Sequence, residues 1–108
     1  MEFVKRNSTY VEAVQFLGDE QSIVDIEQLM SADYKIINLG VYKKEFEKKA
    51  YGENKKYTAS FANFFVKHVE KQKEQLLSIP EMHYLVSTKL GLRIVDPEKF
   101  EKDYSEVK

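Results

Sequence analysis

The two ends of this 108-residue chain constrain its fold more than any other part of the sequence. Near the amino terminus, YVEAVQFLGD (10–19) has the Tyr, Val and Phe content of a strand and stops at a glycine and an aspartate. Near the carboxyl terminus, YLVSTKLGLRIVDPEKFEKDY (84–104) has a hairpin pattern followed by Asp96-Pro97, a strong helix start. Both ends therefore predict finished strand-to-helix units, and the residues between them contain no recognisable motif.

Helical spacing of apolar residues predicts three helices. The first covers 20–31 with Asp19 as its N-cap, the longest covers 61–78, and the last runs from Pro97 to about Val107. Each has apolar residues three or four positions apart that would face the core: Ile23, Ile26, Leu29 and Met30; Phe61, Phe64, Phe65, Val69 and Leu76; Phe100 and Tyr104.

Strand patterns predict a small antiparallel sheet. We expect strands at 10–17 and 34–42 and a hairpin at 83–95 that turns between Thr88 and Gly91. Residues 43–60 fit either a hairpin, which we favour, or a short helix, and both interpretations turn at Gly52-Glu53-Asn54. The predicted fold class is therefore α+β, with a small antiparallel sheet packed against two or three helices.

Length and composition indicate one soluble globular domain spanning 1–108. The absence of cysteine excludes disulfides, thiolate metal sites and cysteine nucleophiles, and it fits a reducing cytosol. No window approaches 18 uninterrupted apolar residues, so we expect no membrane span, and the amino terminus does not resemble a signal peptide.

The net charge of −1 hides an uneven distribution of charge. Residues 12–33 contain six acids and no base, whereas residues 43–56 contain six lysines against three glutamates. In the basic segment the lysines alternate with aromatic residues, a composition suited either to a solvated hairpin or to contact with a charged partner. The candidate partner-binding residues are Lys43, Lys44, Lys48, Lys49, Tyr51, Lys55, Lys56 and Tyr57.

Glu12 is the residue that agrees least with its surroundings, because it interrupts an otherwise apolar strand. An unpaired carboxylate inside a sheet is costly. We therefore expect Glu12 to form an ion pair with Arg93 of the carboxyl-terminal hairpin.

No catalytic, cofactor-binding or metal-binding motif is present. The two histidines, His68 and His83, lack further ligands at metal-site spacing, and His68 borders a predicted apolar stripe as a partly buried structural residue. The chain has no Gly-flanked serine, no phosphate-binding loop and no G-x-G-x-x-G. We therefore predict that the protein is not an enzyme and needs no cofactor or metal.

The two ends resemble a family of small phage and prophage proteins of uncharacterised function. Its members begin with a basic stretch followed by IEAVQF-GD, matched here by MEFVKRNSTYVEAVQFLGD. They end with Pro-Gly-Asp-Tyr, a hairpin and Pro-x-x-Phe-Glu-Lys-x-Tyr, matched here by IPEMHYLVS, Gly91 and PEKFEKDY. In this chain Glu81-Met82-His83 replaces the Gly-Asp of the signature, and the segment 43–78 is longer than usual.

This resemblance implies a phage-encoded protein in the cytoplasm of a bacterial host. We expect it to act by stoichiometric binding, as an anti-CRISPR-like inhibitor of a host antiviral defence protein or nucleic-acid-binding complex. Two alternatives are a sponge for a phosphorylated signalling nucleotide, bound by the segment Lys43–Tyr57, and a structural or assembly protein of the phage particle. A homodimer is compatible with each of these.

Overall fold

The protein is mainly β. Its computed structural model describes residues 2–5, 10–50 and 52–106. In chain order the elements are β1 (Glu2–Lys5), β2 (Tyr10–Gln15), α1 (Glu20–Met30), β3 (Tyr34–Ala50), β4 (Glu53–His68), β5 (Glu74–Pro80), β6 (Tyr84–Thr88), β7 (Gly91–Val95), α2 (Pro97–Asp103) and β8 (Tyr104–Glu106).

The strands form two antiparallel sheets. Sheet A has the order β7-β6-β2-β1-β8, and sheet B has the order β3-β4-β5. Sheet A is built from the two ends of the chain, and sheet B is built from the middle of the chain. β3 therefore lies at an edge of sheet B, with β4 as its neighbour on one side.

The α+β prediction is wrong because the predicted long helix at 61–78 is made of strands. β4 continues to His68, and β5 returns antiparallel to it from Glu74. Along β4 the side chains of Ser60, Ala62, Phe64 and Val66 are buried at every second position, which is the period of a strand. The two helices are short, and α2 ends at Asp103, where β8 begins, instead of continuing to Val107.

Several local predictions are confirmed. α1 and α2 begin as expected, with Asp19 and Asp96 as N-caps whose side chains accept backbone N–H groups. The β6–β7 hairpin turns between Thr88 and Gly91. Residues 43–60 form a hairpin, in which Ala50 pairs with Glu53 and Gly52 adopts a φ of +78° in the turn. Glu53 and Asn54 already belong to β4.

The predicted Glu12–Arg93 ion pair is wrong, because these residues lie on opposite faces of sheet A. Glu12 is opposite Ser87 in the β2–β6 ladder, whereas Arg93 is opposite Val86 in the β6–β7 ladder. Neighbouring positions of a strand point to opposite faces. Both side chains are exposed, so Glu12 does not need a buried partner.

Two buried clusters hold the layers together. In the larger one α1 contributes Ile26 and Met30, which pack with Phe16, with the inner face of sheet B and with Leu85 of sheet A. The smaller cluster lies on the other face of sheet A, under α2. There Phe100 is stacked between Tyr84 and Tyr104, at ring-centroid distances of 3.7 and 4.6 Å.

The turn between β5 and β6 joins the two sheets through its backbone. The N–H of Glu81 donates to the carbonyl of Ser60 in β4 (2.8 Å), and the N–H of Met82 donates to the carbonyl of Phe16 (2.6 Å). Phe16 N–H in turn donates to the carbonyl of His83 (2.9 Å). Met82 has a φ of +73°, which is uncommon for a residue other than glycine.

Gly18 is required by its conformation, and it gives a test of the β2–α1 turn. Its φ is +80°, and a Cβ there would also collide with the Glu81 carboxylate. We expect Gly18→Ala to lower the free energy of unfolding by about 1–2 kcal/mol in urea denaturation. Gly40→Ala is the control, because a Cβ at Gly40 meets open space, and equal losses in both variants would contradict this role.

The α1 cap predicts a specific pH dependence of stability. Hydrogen bonds from the Ser22 hydroxyl and backbone N–H hold the pKa of the Asp19 carboxyl below its ordinary value. The stabilisation from this carboxylate is therefore complete above the unfolded pKa of about 3.9 and is lost as the pH falls through the lower folded pKa. Asp19→Asn keeps a cap acceptor but removes this titration.

We accordingly expect the difference in unfolding free energy between the protein and Asp19→Asn to shrink as the pH falls from about 6 to about 2.5. Urea titrations at each pH would measure it. A difference that stays constant over this range would show that the carboxylate is not stabilised by the fold.

Candidate functional site

The distal half of the β3–β4 hairpin is a two-stranded arm. β5 pairs with β4 from Phe61 to Lys67, so the eight residue pairs from Lys43–Ser60 to Ala50–Glu53 have no third strand beside them. At about 3.3 Å per residue the arm is roughly 26 Å long. An isolated two-stranded hairpin is marginally stable in water, so the arm needs cross-strand contacts of its own.

Stacked aromatic rings supply these contacts on one face of the arm. Phe46 stacks on Tyr57 across the strands, with ring centroids 5.3 Å apart, and Tyr42 stacks on Phe61 at the same distance. Phe46 also approaches Phe61 at 6.0 Å, and the Lys44 ammonium lies 5.5 Å from the centroid of the Phe46 ring. We call this side, comprising Tyr42, Lys44, Phe46, Lys55, Tyr57 and Phe61, the aromatic face.

The aromatic face is exposed to solvent. Tyr42 and Tyr57 keep 44% and 50% of their surface exposed, although side chains of this kind usually lie in a core or an interface. The face continues onto the outer side of sheet B, where Phe65 and Leu76 are paired positions and Leu76 is 64% exposed. Apolar side chains on this side of the hairpin and of sheet B are therefore partly exposed, in two groups that the row of Asn63 separates.

The glutamates of β3 point away from the aromatic face. Glu45 and Glu47 lie on the opposite face of the arm together with Lys43 and Lys49, because side chains alternate along a strand. On that face Lys56 forms an ion pair with Glu47 at 3.9 Å, the ion pair present among the described residues. On the aromatic face Lys44 and Lys55 accompany the rings, and the acidic residue of that face is Glu53, two positions before Lys55 on β4.

The candidate residues from sequence do not gather into one site. The structure places Lys44, Lys55 and Tyr57 on the aromatic face, and Lys43, Lys49 and Lys56 on the opposite one. The backbone of Lys48 is part of β3, but its side chain and all of Tyr51 lie outside the described residues. The lysines are thus spread over both sides of an open ribbon.

Sequence reasoning missed the part of the face contributed by β4. Phe61 and Phe65 satisfy a helical stripe as well as a strand, and they were assigned to a helix core. The signal that distinguishes the two is the alternation of Phe61, Asn63 and Phe65 with Ala62, Phe64 and Val66, which places half of this run outward.

Asn63 lies in the outward row, opposite Gly40 and Ser78 in neighbouring strands. Its side-chain oxygen Oδ1 is buried and accepts no hydrogen bond. This row lies between the row of Tyr42 and Phe61 and the row of Phe65, and a Cβ on Gly40 would meet open space.

Comparisons with protein-family models, with curated proteins and with solved structures found no match to this chain. Among the residues that the structure describes, no group of three or more His, Asp or Glu side chains is placed to hold a metal ion. None of the helices in the described part of the chain is long and apolar enough to cross a membrane.

The ring contacts of the arm predict that it can be loosened without unfolding the protein. Phe46→Ala removes both ring contacts of Phe46, each worth about 0.5–1.5 kcal/mol. We expect amides of 43–50 and 53–60 to exchange at least about tenfold faster by hydrogen-exchange mass spectrometry, because the arm opens locally. Amides of the two buried clusters should keep their protection.

Phe64→Ala is the matched comparison, since Phe64 is an aromatic residue of the same strand with no exposed surface. It should lower the global unfolding free energy by about 3–5 kcal/mol. If Phe46→Ala lowered global stability by the same amount, the arm would have to be part of the core.

Proposed function

We propose that this protein acts by stoichiometric binding, through the aromatic face, to an acidic surface of a protein partner. The observation that supports this proposal is the exposure of stacked Tyr and Phe rings beside Lys44 on an arm whose residues 43–59 belong to neither buried cluster. Aromatic residues are enriched in interface centres and dominate binding energy there. Because the rings already stack on one another, little side-chain freedom is lost on binding.

Charge favours an acidic partner. The aromatic face presents Lys44 and Lys55 beside its rings and Glu53 next to the turn, while Glu45 and Glu47 face the other way. Complementary charge raises association rates and excludes partners of the same sign. A standard interface buries about 800 Å² on each partner, more than a narrow ribbon offers, so the continuation through Phe65 and Leu76 would belong to the contact.

The resemblance at the two ends supplies the biological setting of the proposal. It implies a phage-encoded protein in the cytoplasm of a bacterial host, and on our proposal the protein inhibits a defence protein or complex there without turnover. Most of the described residues that carry the resemblance lie in sheet A and α2, whereas the arm belongs to the segment that the resemblance does not cover. On this proposal the shared ends provide the scaffold, and the arm selects the partner.

A pair of charge-reversal variants tests the face as well as the function. Lys44→Glu/Lys55→Glu alters the aromatic face, and Lys43→Glu/Lys49→Glu makes the same change in charge on the opposite face of the same arm. Immobilised protein and both variants would be exposed to nuclease-treated lysates of candidate bacterial hosts. Each captured protein would then be purified and titrated by calorimetry.

We expect a protein that binds at a fixed stoichiometry, weakens at least about tenfold with Lys44→Glu/Lys55→Glu, and is retained by Lys43→Glu/Lys49→Glu. The proposal is wrong if both variants bind equally, or if capture disappears after nuclease treatment because nucleic acid was the ligand. It is also wrong if the unaltered protein captures no host protein in larger amount than Lys44→Glu/Lys55→Glu does.

A further inference from the structure

A cleft lies at the end of β3 and β4 that is opposite to the arm. Its volume is about 550 Å³, within the range of roughly 300–1,000 Å³ that is usual for small-molecule sites. Three parts of the chain that are distant in sequence form its walls: residues 33–34, the β4–β5 turn with its flanking residues, and the β6–β7 hairpin. The cleft therefore exists only in the folded protein.

Cations outnumber anions around this cleft. Lys71 and Lys73 reach it from the β4–β5 turn and Lys89 from the β6–β7 turn, against the carboxylates of Asp33 and Glu70. All five side chains are exposed, and none of them forms an ion pair within 4.0 Å among the described residues. Three lysines from two separate turns thus line one opening.

His68 also lines the cleft, and a hydrogen bond to its Nδ1 helps to fix the orientation of its ring. Its Nδ1 accepts the backbone N–H of Lys71 at 3.0 Å, so in the neutral ring the proton lies on Nε2. The Tyr34 ring meets the His68 ring edge-on, with centroids 5.0 Å apart. The Lys71 N–H and the Tyr34 ring together restrict the rotation of the His68 ring.

The turn that carries two of the lysines is rigidly built. His68 N–H donates to the carbonyl of Lys73 and Gln72 N–H donates to the carbonyl of His68, both at 2.9 Å. The Gln72 side-chain amide closes the turn on the carbonyl of Val69 at 2.6 Å. Gln72 adopts a φ of +57°, so the chain reverses sharply between Lys71 and Lys73.

The opposite wall supplies apolar surface. Leu90, at the tip of the β6–β7 turn, is 98% exposed, and Leu92 lines the interior of the cleft. A Cβ placed on Gly91 would lie 3.7 Å from the Tyr34 hydroxyl, so this ring reaches from sheet B to the hairpin of sheet A. The cleft therefore combines a cationic side with an aromatic and aliphatic side.

We infer that this cleft binds a small organic phosphate, with the phosphate held by Lys71, Lys73, Lys89 and the His68 Nε2–H, and the organic part against Tyr34 and Leu90. Lysine binds phosphate as a point charge, and several convergent donors favour a dianion over a monocarboxylate. The site lies at the far end of β3 and β4 from the arm, and it does not depend on the proposed protein partner.

Thermal unfolding with and without ligand tests the inference. The probes are inorganic pyrophosphate, AMP and ribose 5-phosphate, with adenosine and sodium chloride of equal ionic strength as controls. At about 100 times its dissociation constant, a binding phosphate should raise Tm by several degrees. Adenosine and chloride should leave Tm unchanged, and the two organic phosphates show whether a base is needed.

The variants are Lys71→Glu/Lys89→Glu in the cleft and Lys43→Glu/Lys49→Glu on the arm, which carry equal changes of charge. We expect the cleft variant to lose the Tm shift and the arm variant to keep it. The inference is overturned if no phosphate probe shifts Tm, if chloride shifts it equally, or if the cleft variant responds like the unaltered protein.

A second measurement covers the case in which the cleft variant fails to fold. In amide NMR of the unaltered protein, AMP should perturb the signals of 33–34, 68–73 and 88–91 in a saturable way. Perturbations centred on the arm instead would overturn the assignment of the site. Loss of partner binding by the aromatic-face variant would leave this result unchanged, so the two proposals fail separately.

Discussion

The fold depends on one short turn in which the two sheets share backbone hydrogen bonds. Glu81 and Met82 donate to β4 and to Phe16, and Phe16 donates back to His83. Phe16 has no exposed surface and lies in the larger cluster, so the same residue links the ladder of sheet A to the core under sheet B. The left-handed conformation of Met82 is the cost of making this connection without glycine.

The sequence predicted those elements whose formation depends on residues close together in the chain, such as helix caps and a tight turn. Asp19 and Asp96 fix helix starts through their own side chains, and the β6–β7 hairpin closes over two residues. β4 was predicted wrongly because Phe61, Phe64 and Phe65 satisfy both periods, and the strand that decides between them lies some 20 residues earlier in the chain. β1 and β8 were missed because both strands are short, with four and three residues, and because β8 joins β1 from the other end of the chain.

The candidate sites show the same division. The lysines and aromatic rings of 43–57 were recognised by composition, but which of them share a face follows from the register of β3 with β4. The cleft could not be found from sequence, since residues 34, 68, 71 and 89 meet only after the two sheets pack together. Its strongest element, the bond from Lys71 N–H to His68, arises from the geometry of a turn that was expected to be helix.

The position of β3 at the edge of sheet B also affects how copies of the chain meet one another. An exposed edge of 17 residues is a template for joining other strands into larger sheets. KKEFEKK (43–49) reads the same in both directions, so antiparallel pairing of two such edges about Phe46 would set Glu45 against Glu47 and Lys43 against Lys49. Repulsion between these like charges destabilises that pairing, and it therefore opposes the growth of fibres from the exposed edge of β3.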